Sequence, residues 1–111
     1  MKFNIYLTML SGKRVDVQKA TMIEAIHIIV CGKVQGVWFR AGSKEKAGEL
    51  GIFGWVKNRP EGTVEIHAEG EKSQLENFIA WCHKGTPAAN VISLDINPMP
   101  LQNFTSFKIL S

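Results

Sequence analysis

This 111-residue chain lacks most of the usual equipment for catalysis or anchoring. It has only two cysteines, Cys31 and Cys82. Their spacing fits no zinc pattern and no C-x-x-C motif, so they read as reduced thiols of a cytoplasmic protein. Its three histidines, His27, His67 and His83, are scattered, with no second ligand at metal-binding spacing. No apolar run approaches the roughly 20 residues of a membrane-spanning helix. There is no G-x-x-x-x-G-K-[ST] and no G-x-G-x-x-G, so neither common nucleotide-binding loop is present. No Ser/His/Asp set and no paired carboxylates stand out. Internal repeats and low-complexity segments are also missing. These absences lead us to expect no metal, no cofactor and no membrane association.

A one-sided charge is missing as well, despite a net charge of +3. Lys2, Lys13, Arg14 and Lys19, against Asp16 alone, precede Met22. That segment therefore holds the whole net charge and the remainder is balanced, which argues against nucleic acid as a partner. What remains is ordinary: 45% hydrophobic and 21% charged residues, the composition of a soluble globular chain. The length suits one domain, expected here as a monomer.

Residues 1–21 read as a poorly specified N-terminal extension, with an apolar β-forming stretch from Phe3 to Leu10 and a turn at Ser11–Arg14. No signal-peptide cleavage pattern follows it, and Met22 could serve as the start. The compact domain is expected over residues 22–111. Glu24 to Cys31 reads as a strand, apolar on nearly both faces and so central in its sheet. Ile26, Ile28 and Val30 share one face, and His27 is expected on the other. A helix follows from about Ala41 to Leu50, with Gly51 as its C-terminal stop. Phe53 to Asn58 is a second strand and Arg59-Pro60-Glu61-Gly62 a hairpin turn. Thr63 to Gly70 is a third, with Val64, Ile66 and Ala68 facing the core and Glu65, His67 and Glu69 facing out. Ser73 and Glu76 have capping-box spacing at the start of a second helix. Its stripe is Leu75, Phe78, Ile79 and Cys82. Val91 to Ile96 and Phe104 to Leu110 complete the strands. The fold class is α+β: a ferredoxin-like β-α-β-β-α-β sandwich, with an antiparallel sheet, two helices on one face and a short C-terminal extra strand.

One loop stands apart. Gly32-Lys33-Val34-Gln35-Gly36-Val37-Trp38-Phe39-Arg40 joins the first strand to the first helix. Its glycines permit turns closed to other residues. Successive backbone N–H groups in such a loop form an anion-binding concavity, and the helix adds its N-terminal dipole. Arg40 contributes a fork suited to two phosphate oxygens. On these residues alone, a tight turn with a solvated arginine accounts for the pattern equally well. Asn58 is similarly open: it sits at a strand end and could simply bond its own hairpin.

The stretch Gly32 to Arg40 resembles the acylphosphatase signature G-x-V-Q-G-V-x-F-R. Gly54-Trp55-Val56-Lys57-Asn58, then Gly62-Thr63-Val64, then Gly70, resembles the second signature of that family. The likeness covers about Met22 to Ser111. Ser43 is a small departure, standing where the family often has Thr. The resemblance implies hydrolysis of acyl phosphates without a metal. It implies Arg40 and Asn58 as catalytic residues, and a phosphate cradle at Gln35, Gly36, Val37, Trp38, Phe39 and Arg40. The substrate would be a small-molecule acyl phosphate. Two alternatives use the same fold differently. A non-catalytic phosphate- or anion-binding module needs Arg40 but has no use for a water-orienting amide at Asn58. Single-stranded RNA binding on the open sheet face needs exposed aromatics and positive charge, where the third strand offers Glu65, His67 and Glu69.

Overall fold

The computed structural model describes residues 22–111; the extension expected over residues 1–21 lies outside the described residues. Strand β1 (Ile23–Lys33) carries the apolar run that makes it an interior strand. Ile28 and Val30 are fully buried on one face, while His27, Ile29 and Cys31 are half-buried on the other. It pairs antiparallel with β3 (Val64–Glu71) on one side and β4 (Asn90–Met99) on the other. The strand order is β4-β1-β3-β2-β5, with β2 (Phe53–Asn58) and β5 (Phe107–Leu110) completing the sheet.

Two helices, α1 (Phe39–Leu50) and α2 (Lys72–Lys84), cover one face. Phe39 and Ala47 from α1 and Leu75, Phe78 and Cys82 from α2 share a core with Ile28, Val30, Val56, Val64 and Ile66. Gly51, at φ 74°, ends α1 as expected, its N–H donating to the Ala47 carbonyl. Burial pushes the Cys82 thiol pKa up, which leaves it inert at neutral pH.

Four expectations need correction. The sheet is mixed rather than antiparallel, because β5 runs parallel to β2. β4 runs opposite to β1 at one edge, so a strand that reverses direction after it and docks at the far edge must share the sense of β1 and β2. The outer face of β3 is not open either. His67 and Glu69 are each only 3% exposed. The connection after β4 lies over them: Phe104 packs edge-on against His67, and the Gln102 and Phe104 N–H groups donate to Glu69. This covering also takes up Phe104–Ser106, so β5 begins only at Phe107.

Third, α2 starts at Lys72, and its capping box joins Glu71 and Gln74 rather than Ser73 and Glu76. Glu71 is still extended (φ −69°, ψ 154°), so β3 passes directly into the helix and Ser73 already lies inside it. Fourth, β4 continues through Pro98 to Met99, beyond the expected Ile96. As an edge strand it tolerates a residue without an N–H.

Candidate active site

The loop between β1 and α1 is shaped by three backbone constraints. Gly32 sits at a register shift between β1 and β4; a Cβ there would stand 2.2 Å from the Asn90 carbonyl oxygen, so only glycine fits. Gly36 has open space around it and is needed for its φ of 74°. Trp38 takes a left-handed φ of 68° and forms the N-cap of α1 without a side-chain cap bond.

The first intrahelical bond runs from the Gly42 N–H to the Trp38 carbonyl. The N–H groups of Trp38, Phe39, Arg40 and Ala41 therefore have no partner within the helix. Those four residues line one cleft of about 310 Å³, together with Val34, Gly36, Asn58 and Ile109. Arg40 is the only charged residue among these, and it joins no ion pair among the described residues. Ser43, buried one turn on, donates its hydroxyl to the Arg40 carbonyl at 2.8 Å.

Asn58 is the last residue of β2. The hairpin beside it is closed by other groups: the Arg59 N–H donates to the Thr63 carbonyl and the Gly62 N–H to the Arg59 carbonyl. Glu61 accepts from Thr63 and pairs with Arg59. Among the described residues, the Asn58 Oδ1 atom is buried with no hydrogen-bond partner. A buried amide oxygen without a partner costs roughly 1–3 kcal/mol, so its orientation is not explained by the fold.

The cleft thus brings together Gly36, Trp38, Phe39, Arg40 and Asn58. Gln35 and Val37 are not among its lining. The Gln35 side chain is committed elsewhere: its Nε2 donates to the Arg59 and Thr63 carbonyls at 2.7 and 2.8 Å. It straps the loop to the β2–β3 hairpin that carries Asn58. Three lining residues were not singled out in the sequence. Val34 and Ala41 stand on either side of the expected cradle Gln35–Arg40; in the sequence Ala41 reads only as the start of the helix, which begins two residues earlier, at Phe39. Ile109 arrives through the parallel β5, beside Val56, and no local signal marks it.

Among the described residues, no group of three or more His, Cys, Asp or Glu side chains could hold a metal ion. No helix among them is long and apolar enough to cross a membrane.

In this α+β domain one cleft gathers a helix N-terminus, an arginine and an asparagine, groups with the chemistry to receive an anion. The family follows from comparison. The acylphosphatase family model matches residues 26–109. An acylphosphatase of Methylococcus capsulatus is 45% identical over 89 residues, covering 79% of this chain and 97% of that protein. One of Marinobacter nauticus is 49% identical over 83 residues, covering 74% and 90%. The solved structure of an acylphosphatase from Coxiella burnetii superposes with a TM-score of 0.80 at 36% identity, over 85% of this chain and 99% of that one. The chain belongs to the acylphosphatase family.

Proposed function

We propose that this chain hydrolyses the carboxyl–phosphate bond of small acyl phosphates, releasing a carboxylate and inorganic phosphate. The cradle N–H groups and Arg40 hold the phosphoryl oxygens, and Asn58 orients the attacking water. The observation that carries this reading is that Asn58 lines the same cleft as Arg40, with its amide oxygen bound to no group among the described residues. A module that merely binds an anion needs the arginine but not that amide.

The chemistry asks for little more. The leaving group is a carboxylate, so no strong general acid is required. Phosphoryl transfer passes through a loose transition state, with charge spread on the equatorial oxygens. Positioning and charge stabilisation then dominate. Arg40 and the loop N–H groups supply donors where that charge develops. The amide of Asn58 can accept from or donate to a water, which converts a bimolecular attack into a local one. The water's proton passes to a phosphate oxygen, so the step is substrate-assisted.

The reading further takes residues 22–111 as the working domain, a cytoplasmic monomer that needs neither metal nor nucleic acid. The test is release of inorganic phosphate from benzoyl phosphate with excess chelator present. Steady release is expected. No release removes the hydrolase reading, and activity restored by added zinc or magnesium removes the metal-free mechanism.

A further inference from the structure

The cleft shows which atoms would face the anion, but not what fixes the loop that presents them. Val37 is the place to look. Its carbonyl lies just ahead of α1, whose bonds begin at Trp38, so the helix does not hold it. The Thr86 hydroxyl, 49 residues away in the turn after α2, donates to the Val37 carbonyl at 2.6 Å.

The peptide joining Val37 to Trp38 is trans, so its C=O and its N–H point in opposite directions. Thr86 lines a separate depression between the helices, with Gly42, Trp81 and Pro87, and does not line the cleft that holds Arg40 and Asn58. A carbonyl drawn toward Thr86 therefore turns the Trp38 N–H away from Thr86, and Trp38 itself lines the cleft. The same peptide leads into the left-handed Trp38 (φ 68°), a conformation that a loop does not keep without support.

We propose that Thr86 is a positioning residue for the anion cradle: its hydroxyl fixes the Val37–Trp38 peptide so that the Trp38 N–H is presented to the bound phosphoryl group. This rests on the cradle reading above. The two halves of the Thr86 side chain can be separated. The hydroxyl reaches the loop, whereas the methyl lies against α1, where a Cβ on Gly42 would stand 3.0 Å from it. Thr86→Val keeps the methyl and loses the hydroxyl. Thr86→Ser does the reverse.

The experiment measures inorganic phosphate binding by titration calorimetry on the full chain, beside benzoyl phosphate turnover. Thr86→Val should bind phosphate about tenfold more weakly, ~1.4 kcal/mol, and raise KM more than it lowers kcat. Thr86→Ser should stay within about twofold of the wild type, which is the rescue that a packing role would not give. In 15N spectra the Trp38 amide should shift on phosphate addition in the wild type and in Thr86→Ser. Unchanged binding in Thr86→Val overturns the proposal, as does a loss in Thr86→Ser equal to that in Thr86→Val. Should Thr86→Val fail to fold, Thr86→Ser decides alone: retained binding with the Trp38 shift supports the proposal, and a tenfold loss overturns it. A wild type that hydrolyses benzoyl phosphate but shows no Trp38 shift overturns the role of Thr86 while leaving the hydrolase standing. One that neither binds phosphate nor turns over removes both.

Discussion

Trp38 holds a left-handed backbone while its ring is 79% exposed. That conformation costs a residue with a Cβ roughly 1–2 kcal/mol, and so exposed a ring regains little by burial. Glycine in its place loses about 0.5–1 kcal/mol more conformational entropy on folding. Trp38→Gly should therefore be neutral to slightly stabilising in a urea melt. A marked loss of stability would show that the ring braces the loop. Arg40 and Asn58 should separate by kinetics. Arg40→Lys keeps the charge but loses the planar fork, so inhibition by phosphate should weaken and turnover should fall. Asn58→Ala leaves the cradle intact, so phosphate inhibition should change little. Turnover should drop about a hundredfold, ~3 kcal/mol of barrier at ~1.4 kcal/mol per decade. Loss of both phosphate binding and melting temperature would make Asn58 a brace for the hairpin. That the two residues meet in one cleft was legible through their motifs' resemblance to a family, not from either residue alone. The open amide of Asn58 was not legible, since it depends on what the Gln35 side chain and the hairpin backbone do instead.

At the level of elements, periodicity located the strands and helices of the described residues, gave β2 and the end of α1 as they stand, and missed several other ends. The start of α2 shows why. Ser73 and Glu76 carry the familiar capping spacing, yet Glu71 and Gln74 form the box, because β3 remains paired until Glu71. A long-range pairing set the boundary, and local sequence does not record it. Gln74→Ala should then cost about 1 kcal/mol, whereas Ser73→Ala should stay within about 0.5 kcal/mol. A reversal of these two values in thermal melts would restore the local reading. The outer face of β3 failed for the same reason, since alternation reports which side a residue takes but not what later covers it. Burial, the largest single influence on Glu69, raises its pKa. Hydrogen bonds from His67 and from the Gln102 and Phe104 N–H groups outweigh burial and hold it below 4.5. A depressed folded-state pKa gives stability that is present above about pH 4.5 and is lost as the pH falls through the folded value. Acid melts should show this loss, and Glu69→Gln should flatten it while lowering stability at pH 7. An unchanged acid slope in Glu69→Gln would place the lability in other carboxylates.

For the molecule as a whole, the order of elements was readable because each loop is short and each apolar pattern has one period. The parallel seat of β5 was not, because a four-residue strand carries no record of its partner's direction. Residues 22–111, the described ones, supply a complete five-stranded sheet with two helices and a cleft lined by both signature stretches. The match to the Methylococcus relative spans 97% of that protein yet only 79% of this chain. Residues 22–111 alone should thus fold cooperatively and release phosphate from benzoyl phosphate at close to the full-length rate. For a domain of this size, ~1 kcal/mol moves the melting temperature by about 4–8 °C. A shift within that span means residues 1–21 contribute no more than a typical surface contact. A larger fall with activity retained would mean that the apolar stretch Phe3–Leu10 stabilises the domain without serving the chemistry. A truncated chain that folds normally but has lost turnover would instead mean that the cleft needs something from residues 1–21, and the domain boundary at Met22 would be wrong.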